Sequence, residues 1–417
     1  MARSKNQYHY AIRKVKKKSK NIRAAKLLQA SENGNVDLMN EMKKVKGSKK
    51  GTQSLPECVD GAQGHQEILD KFREVYETLY NSAESKESMS NIKRMLSELI
   101  NVNSMDEVSK VTGDVVKEAC SKMKPAKCDV SGTYSSDLLL NAPDAIFEHI
   151  ATIFRSFLVH GDVTLQLLSC AFLPLYKGGL KDPASSNSYR AIAGSSQLLK
   201  LFDYTVLHVW GHLLGSDSLQ FGFKPGVSTT QCSWLVMEVA GYFLKRGTPI
   251  VTTLMDCSKA FDMCLFDKLF QKLVDRNFPA IVIRVLIFVY EEQKGCVKLA
   301  GESSTGFSIT NGTRQGSVLS PTLFSLYLDD LIKELRDLGV GCQVGGVWMG
   351  CLGYADDLVM LAPSREAMAT MLKVCERYAA RHNLQFSTDP VPCKSKSKCL
   401  YICIENLPMS SILPNSS

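Results

Sequence analysis

The sequence predicts an α+β protein, and three observations carry that expectation. Ile250 to Met255 form a short apolar, β-branched run that suits a strand covered on both faces, and Asp256 follows directly. Cys351 to Tyr354 and Leu358 to Leu361 read as the two strands of a hairpin with Asp356 and Asp357 at its tip. Around these lie long segments with apolar residues three and four apart, bounded by Ser, Asn, Pro and Gly, which is the pattern of helices packed on a sheet.

In chain order, the first fifty residues hold fifteen Lys or Arg against three Asp or Glu, while the whole chain of 417 carries a net +8, so the basic character is local. Arg-Lys-Val-Lys-Lys-Lys-Ser-Lys at 13–20 and Lys43 to Lys50 are its densest patches. Such a block binds phosphate by counterion release whatever the nucleic-acid sequence. A nuclear import signal and a solvated arm are the competing readings. With the Gly-, Ser- and Pro-containing linker that follows, residues 1–64 form a basic arm and linker.

Residues 65–164 read as helical. Ile68, Leu69, Phe72, Val75, Tyr76 and Leu79 mark an apolar stripe, and further helices are expected over 92–102 and 108–124. Over 143–159, Asn141 is the expected cap, Pro143 sits just inside, and Ile146, Phe147, Ile150, Ile153, Phe154 and Phe157 make the expected buried face. No chemistry is legible in this lead-in region.

From Leu173 onward the pattern changes to short strands and turns, within which Lys177 and Arg190 are either surface charges or phosphate grips. Residues 229–244 predict a helix packed through Trp234, Leu235, Val239 and Phe243. Ser320-Pro321 starts a helix that Gly339 stops, with Leu323, Phe324, Tyr327, Leu328, Leu331, Leu335 and Leu338 facing inward. Asp329-Asp330 inside it reads as a partly solvated face. The last helix, 364–383, has Ser364 as cap and Met368, Met371, Leu372, Cys375 and Tyr378 inward.

Several classes are disfavoured. No apolar run reaches the roughly 18–20 residues of a membrane span, and the charged start is no secretory signal. The expectation is an intracellular protein of the nucleus and/or cytoplasm. The fourteen cysteines include no Cys-x-x-Cys pair, and the spacings of His382, Cys393, Cys399 and Cys403 do not fit a zinc site. Nothing in the pattern specifies an oligomer.

The acids need an explanation of their own. Two adjacent carboxylates repel, and Mg²⁺ compensates such pairs by taking oxygen ligands from one or two carboxylates together with substrate phosphates. An isolated acidic turn is more often simply solvated. A third acid at a strand end, Asp256, changes the balance, because a sheet can then present three carboxylates to two cations roughly 3.5–4 Å apart.

Asp-Cys-Ser-Lys-Ala-Phe-Asp-Met from Asp256, Asn-Gly-Thr-Arg-Gln-Gly-Ser-Val-Leu-Ser-Pro-Thr-Leu-Phe from Asn311 and Tyr-Ala-Asp-Asp from Tyr354, in that order, resemble the reverse transcriptase domain of non-LTR (LINE-type) retrotransposons. Leu-Pro-Leu-Tyr-Lys-Gly-Gly at 173–179, Ser-Tyr-Arg-Ala-Ile-Ala at 188–193 and Phe-Gly-Phe-Lys-Pro-Gly at 221–226 resemble the family's fingers segments. The resemblance implies right-hand polymerase fingers and palm over 165–417, with an antiparallel palm sheet and packed helices. It implies an RNA-directed DNA polymerase in which Asp256, Asp356 and Asp357 hold two Mg²⁺, with Mn²⁺ as a substitute. RNA template, DNA primer and dNTPs would be its partners.

By the same resemblance, Lys177 and Arg190 match cations that hold the incoming triphosphate. The family's Arg-Pro-Ile is Arg-Ala-Ile here, which leaves the Arg in place. Phe261 matches a gate whose ring leaves no room for a 2′-hydroxyl; on the residues alone it serves equally as a core aromatic, and Asp262 reads as structural. Gln315-Gly316 would bring the backbone close to the primer–template. Lys396 aligns with a lysine that protonates the leaving pyrophosphate. Residues 406–417 do not read as the start of a thumb and no endonuclease is legible, so the implied object is a fragment with neither. A catalytically silent nucleic-acid-binding fragment is the alternative.

Overall fold

The computed structural model describes residues 56–83, 86–100, 104–129, 134–179, 181–313, 316–387 and 397–402. The basic arm, Gln315, Lys396, Cys393 and Cys403 lie outside the described residues. A small strand pair, β1 (Cys58–Val59) and β2 (Ala62–Gln63), leads into α1 (His65–Tyr80). Helices α2 (Lys86–Leu99), α3 (Ser104–Ser109), α4 (Gly113–Ser121), α5 (Ser136–Leu140) and α6 (Asp144–His160) follow. Strands β3 (Ser169–Tyr176) and β4 (Tyr189–Gly194) and helices α7 (Gln197–Trp210) and α8 (Thr229–Leu244) precede β5 (Ile250–Met255). Then come α9 (Ala260–Met263), α10 (Phe266–Asp275), α11 (Ala280–Glu291), β6 (Lys294–Leu299), β7 (Glu302–Ser303), β8 (Phe307–Ser308) and α12 (Ser320–Asp337). The described chain finishes with β9 (Gln343–Val344), β10 (Val347–Trp348), β11 (Cys351–Tyr354), β12 (Asp357–Ala362), α13 (Arg365–Arg381) and β13 (Lys398–Ile402).

The α+β expectation is met by two principal sheets. One has the order β11-β12-β5-β13, antiparallel throughout, with β5 inside it as its β-branched composition requires. The other runs β4-β3-β6-β7, with β8 also on β6 and with β3 and β6 parallel. Helix α1 closes over this second sheet through aromatic rings. Tyr80 stacks on Phe172 with centroids 4.7 Å apart, and Phe72 meets Tyr189 edge-on at 5.0 Å. Gly295 on β6 leaves the room these rings need, since a Cβ there would stand 2.7 Å from Phe172. Among the described residues no helix is long and apolar enough to cross a membrane.

Three sequence expectations are corrected. In α6, Pro143 rather than Asn141 is the cap residue, and the buried face turns toward Ala151 and Leu158 while Ile146 and Ile153 are exposed. Asn141 instead donates to the Asp137 carbonyl at the end of α5, 2.7 Å away. In α8, Trp234 is 62% exposed, and the buried positions are Cys232, Val239 and Ala240. Asp329 in α12 is fully buried, not solvated: it accepts from Arg276, from Lys333 at 2.9 Å and from the backbone N–H of Asp217. A buried carboxylate needs that many donors to offset its lost hydration.

A second polar cluster ties α10, α12 and α13 together. Lys272, almost fully buried, pairs with Asp330 and donates to the Tyr378 hydroxyl at 3.2 Å. The Tyr327 hydroxyl donates to the His382 carbonyl at 2.7 Å, and the His382 ring stacks on Tyr378 at 3.8 Å. Burial, together with the charges of Lys272, Arg381 and Lys268, pushes the His382 imidazole down to about 4. The unfolded ring titrates near 6.5, so between those values the unfolded chain binds more protons. This contribution is fully present above pH 6.5 and is lost as pH falls toward 4, amounting to roughly 3 kcal/mol at most. His382→Phe, which keeps the stack, should flatten the fall in urea-unfolding free energy between pH 6.5 and 5. An unchanged fall would assign it to other groups.

Candidate active site

Strand β5 delivers Asp256 at its end, and β12 pairs with it in the register Leu358 to Met255. One step further, that register sets Asp357 opposite Asp256. The hairpin of β11 and β12 closes with Tyr354 paired to Asp357, so its two-residue tip is Ala355-Asp356 and not Asp356-Asp357. Asp357 is thus the first strand residue. Ala355 takes φ +59°, a left-handed conformation that costs a non-glycine residue about 1–2 kcal/mol.

The other flank of Asp256 is also held. Its carbonyl accepts from Ser387 N–H at 2.7 Å and its N–H donates to Ser397 Oγ at 3.3 Å. Ser258 N–H donates to the Gln385 carbonyl at 2.7 Å. The strand end is therefore fixed from both sides before any ligand arrives.

Asp256 and Asp356 line one cleft of about 470 Å³. Lys177, Lys181 and Arg190 from the β3–β4 segment line it too, as does Lys259. Asp357 is exposed and is not among the lining residues. Arg190 is exposed, whereas Lys177 is partly buried with its Nζ donating to the Asn187 carbonyl at 2.6 Å. Phe261 is half-buried: it stacks on the buried Phe324 at 4.2 Å and meets Phe223 edge-on at 5.9 Å while still lining the cleft. Gly316 also lines it, with φ +119°, and a Cβ there would lie 2.3 Å from the Ala193 carbonyl of β4. The close approach glycine permits here is to the chain's own strand. Gln315 and Lys396 lie outside the described residues.

Sequence reasoning missed several cleft residues. Lys259 was within reach, because it stands in the Asp-Cys-Ser-Lys-Ala segment beside Asp256. Val75, Tyr76 and Leu79 of α1 also line the cleft, and nothing in an apolar helical stripe signals that. The Tyr76 hydroxyl is buried without a hydrogen-bond partner among the described residues. One turn on, Tyr80 donates to Asp262 Oδ1 at 2.6 Å, and Asn311 Nδ2 donates to the Asp262 carbonyl at 2.7 Å. Asp262 is buried and so serves structure, fixing the turn that carries Phe261.

The donor set suits a hard cation. Two carboxylates face a space large enough for a phosphate-bearing ligand, which would complete the oxygen coordination. Among the described residues, no group of three His, Cys, Asp or Glu could hold a metal ion. Burial pushes the thiol of Cys257, next to Asp256, up to about 12, and the charges of Asp356 and Asp256 push the same way.

The family model for reverse transcriptase (RNA-dependent DNA polymerase) matches residues 178–398. The RNA-directed DNA polymerase from mobile element jockey of Drosophila funebris is 26% identical over 290 residues, which is 66% of this chain and 31% of that protein. The Retrovirus-related Pol polyprotein from type-1 retrotransposable element R2 of Nasonia vitripennis is 25% identical over 269 residues, 64% of this chain and 25% of that protein. The probable RNA-directed DNA polymerase from transposon BS of Drosophila melanogaster is 27% identical over 261 residues, 58% of this chain and 28% of that protein. The chain thus spans about a quarter to a third of the length of these relatives. Because the matched stretch takes in more than half of the sequence and runs through Arg190, Asp256, Phe261, Gly316 and Asp356, the chain belongs to the reverse transcriptase family and is related to the polymerases of non-LTR retrotransposons.

Proposed function

We propose that this chain extends a DNA primer on an RNA template by nucleotidyl transfer from dNTPs, with the β11-β12-β5-β13 sheet as palm and the β4-β3-β6 sheet as fingers. The observation that carries the reading is the single cleft in which Asp256 and Asp356 share a space with Lys177, Lys181, Arg190 and Lys259. Carboxylates and a cluster of cations in one cleft fit a triphosphate whose charge must be held on several sides.

Two Mg²⁺, or Mn²⁺, held by Asp256 and Asp356 with Asp357 beside them, would supply activation of the primer 3′-hydroxyl and neutralise charge on the leaving pyrophosphate. The chain's own residues do the rest. Arg190 grips phosphate oxygens through its guanidinium fork, with Lys177, Lys181 and Lys259 as point charges. Phe261, backed by Phe324, excludes a 2′-hydroxyl. Gln315-Gly316 borders the primer–template, and Lys396 gives a proton to pyrophosphate. The helical lead-in 65–164 buttresses the fingers, and the basic arm within 1–64 contacts nucleic-acid phosphates.

Purified chain should extend a DNA primer on an RNA template with Mg²⁺, and Asp356→Asn should lower the rate by at least about 100-fold while leaving template binding intact. A well-folded parent that binds template but never extends would favour the silent-fragment reading.

Sugar choice tests Phe261 separately. Phe261→Ala should raise the ratio of ribonucleotide to deoxyribonucleotide incorporation. Its stability loss should fall below the roughly 3–5 kcal/mol of a fully buried Phe, because one side of the ring faces the cleft. A destabilised variant with unaltered discrimination would make Phe261 a packing residue only.

A further inference from the structure

Gln220 is fully buried, and its side chain is spent on the catalytic hairpin rather than on its own loop alone. Its Nε2 donates to the Ala355 carbonyl at 3.2 Å, and its Oε1 accepts from the Ala355 N–H at 3.0 Å and from Gly222 N–H at 2.9 Å. The amide therefore holds both backbone groups of the one tip residue with a left-handed φ. Around it the chain meets β11 through a single parallel bridge between Gln220 and Gly353. Phe221 N–H donates to the Gly353 carbonyl at 2.7 Å, and Gly353 N–H donates to the Leu219 carbonyl at 2.8 Å. The fit is tight: a Cβ on Gly222 would lie 2.2 Å from Ala355 N, and one on Gly353 would lie 2.8 Å from Gln220 Nε2.

The loop carrying Gln220 is itself anchored by buried charge. Asp217 takes a two-pronged bond from Arg336, 2.7 Å at each contact, and its own N–H donates to Asp329. Burial alone would raise the Asp217 carboxyl, but the Arg336 hydrogen bonds hold it below the usual range, so it stays ionised. Its Oδ1 accepts from Leu219 N–H at 2.9 Å and its carbonyl from Gln220 N–H at 3.0 Å. A continuous path thus runs from α12 through Asp217 and Gln220 to Ala355, the residue before Asp356.

We propose that Gln220 is a positioning residue: its amide locks the left-handed backbone of Ala355 and thereby sets the Asp356 and Asp357 carboxylates against Asp256. Gln220 is buried and is not among the residues that line the cleft, so its action runs through Ala355. The consequence for catalysis rests on the polymerase reading above, whereas the consequence for the hairpin does not.

The test compares Gln220→Glu, which keeps the acceptor and loses the donor, with Gln220→Met, which keeps the volume and loses both. Three quantities are measured on the full chain: amide exchange over the hairpin peptide, Mn²⁺ affinity by calorimetry, and steady-state extension. In either folded variant, the hairpin amides should exchange at least about 10-fold faster with the rest of the chain unchanged, and Mn²⁺ affinity should fall. The rate kcat should drop by about 100-fold while KM for dNTP stays within about twofold, the signature of misplaced rather than missing contacts. Parental exchange and Mn²⁺ affinity in a folded variant would overturn the proposal. So would failure of both variants to fold, which would make Gln220 a packing residue. An inactive parent would count against the polymerase reading alone, since exchange and Mn²⁺ affinity need no turnover.

Discussion

The register between β5 and β12 is the constraint on which the rest depends. Pairing Leu358 with Met255 brings Asp256, Asp356 and Asp357 to one end of a sheet, a gathering of like charge. Neither strand can slip to relieve this, because a one-residue shift would turn Leu358, Met360 and Val251, all buried, to the opposite face. The apolar pattern therefore imposes the electrostatic problem. In the proposed polymerase reading a multivalent cation compensates that charge, and Asp256 and Asp356, both only partly buried, leave the site open to one.

Holding the acids in place requires rigid support from behind, and much of it is buried charge. Asp329 with Arg276 and Lys333, and Asp217 with Arg336, join α12 and α10 to the loop ahead of α8. Such pairs are poor sources of net stability, since desolvation offsets most of their attraction, yet removing one partner typically costs about 3–5 kcal/mol. Their value lies in specifying one geometry. The Lys272, Asp330, Tyr378 and His382 cluster does the same where α13 meets α10 and α12.

The parts legible in the sequence were those with strong local patterns. The strand at 250–255, the Ser364 cap, the Pro321 start of α12 and the hairpin around Asp356 all follow from period, β-branching or end signals, and the hairpin tip was misplaced by one residue. The remainder depends on tertiary partners. Asp329 inside a helix looks solvated until Arg276 reaches it from just past the end of α10, and Tyr76 looks like ordinary core until the helix is laid along the cleft. Gln220 carries no local signal, because its significance exists only in the two backbone groups of Ala355, 135 residues away. The α6 stripe was read too broadly, since Ile146 and Ile153 sit at the edge of the buried arc.

The proposed polymerase chemistry requires Asp256 and Asp356 to act together on a divalent cation in the cleft. Electron paramagnetic resonance of Mn²⁺ titrated into the full chain with a non-hydrolysable dNTP tests it most directly. The expected result is a bound signal from the parent, with affinity at least about tenfold weaker in both Asp256→Asn and Asp356→Asn and folding unchanged. Retention of parental affinity in either folded variant would contradict it.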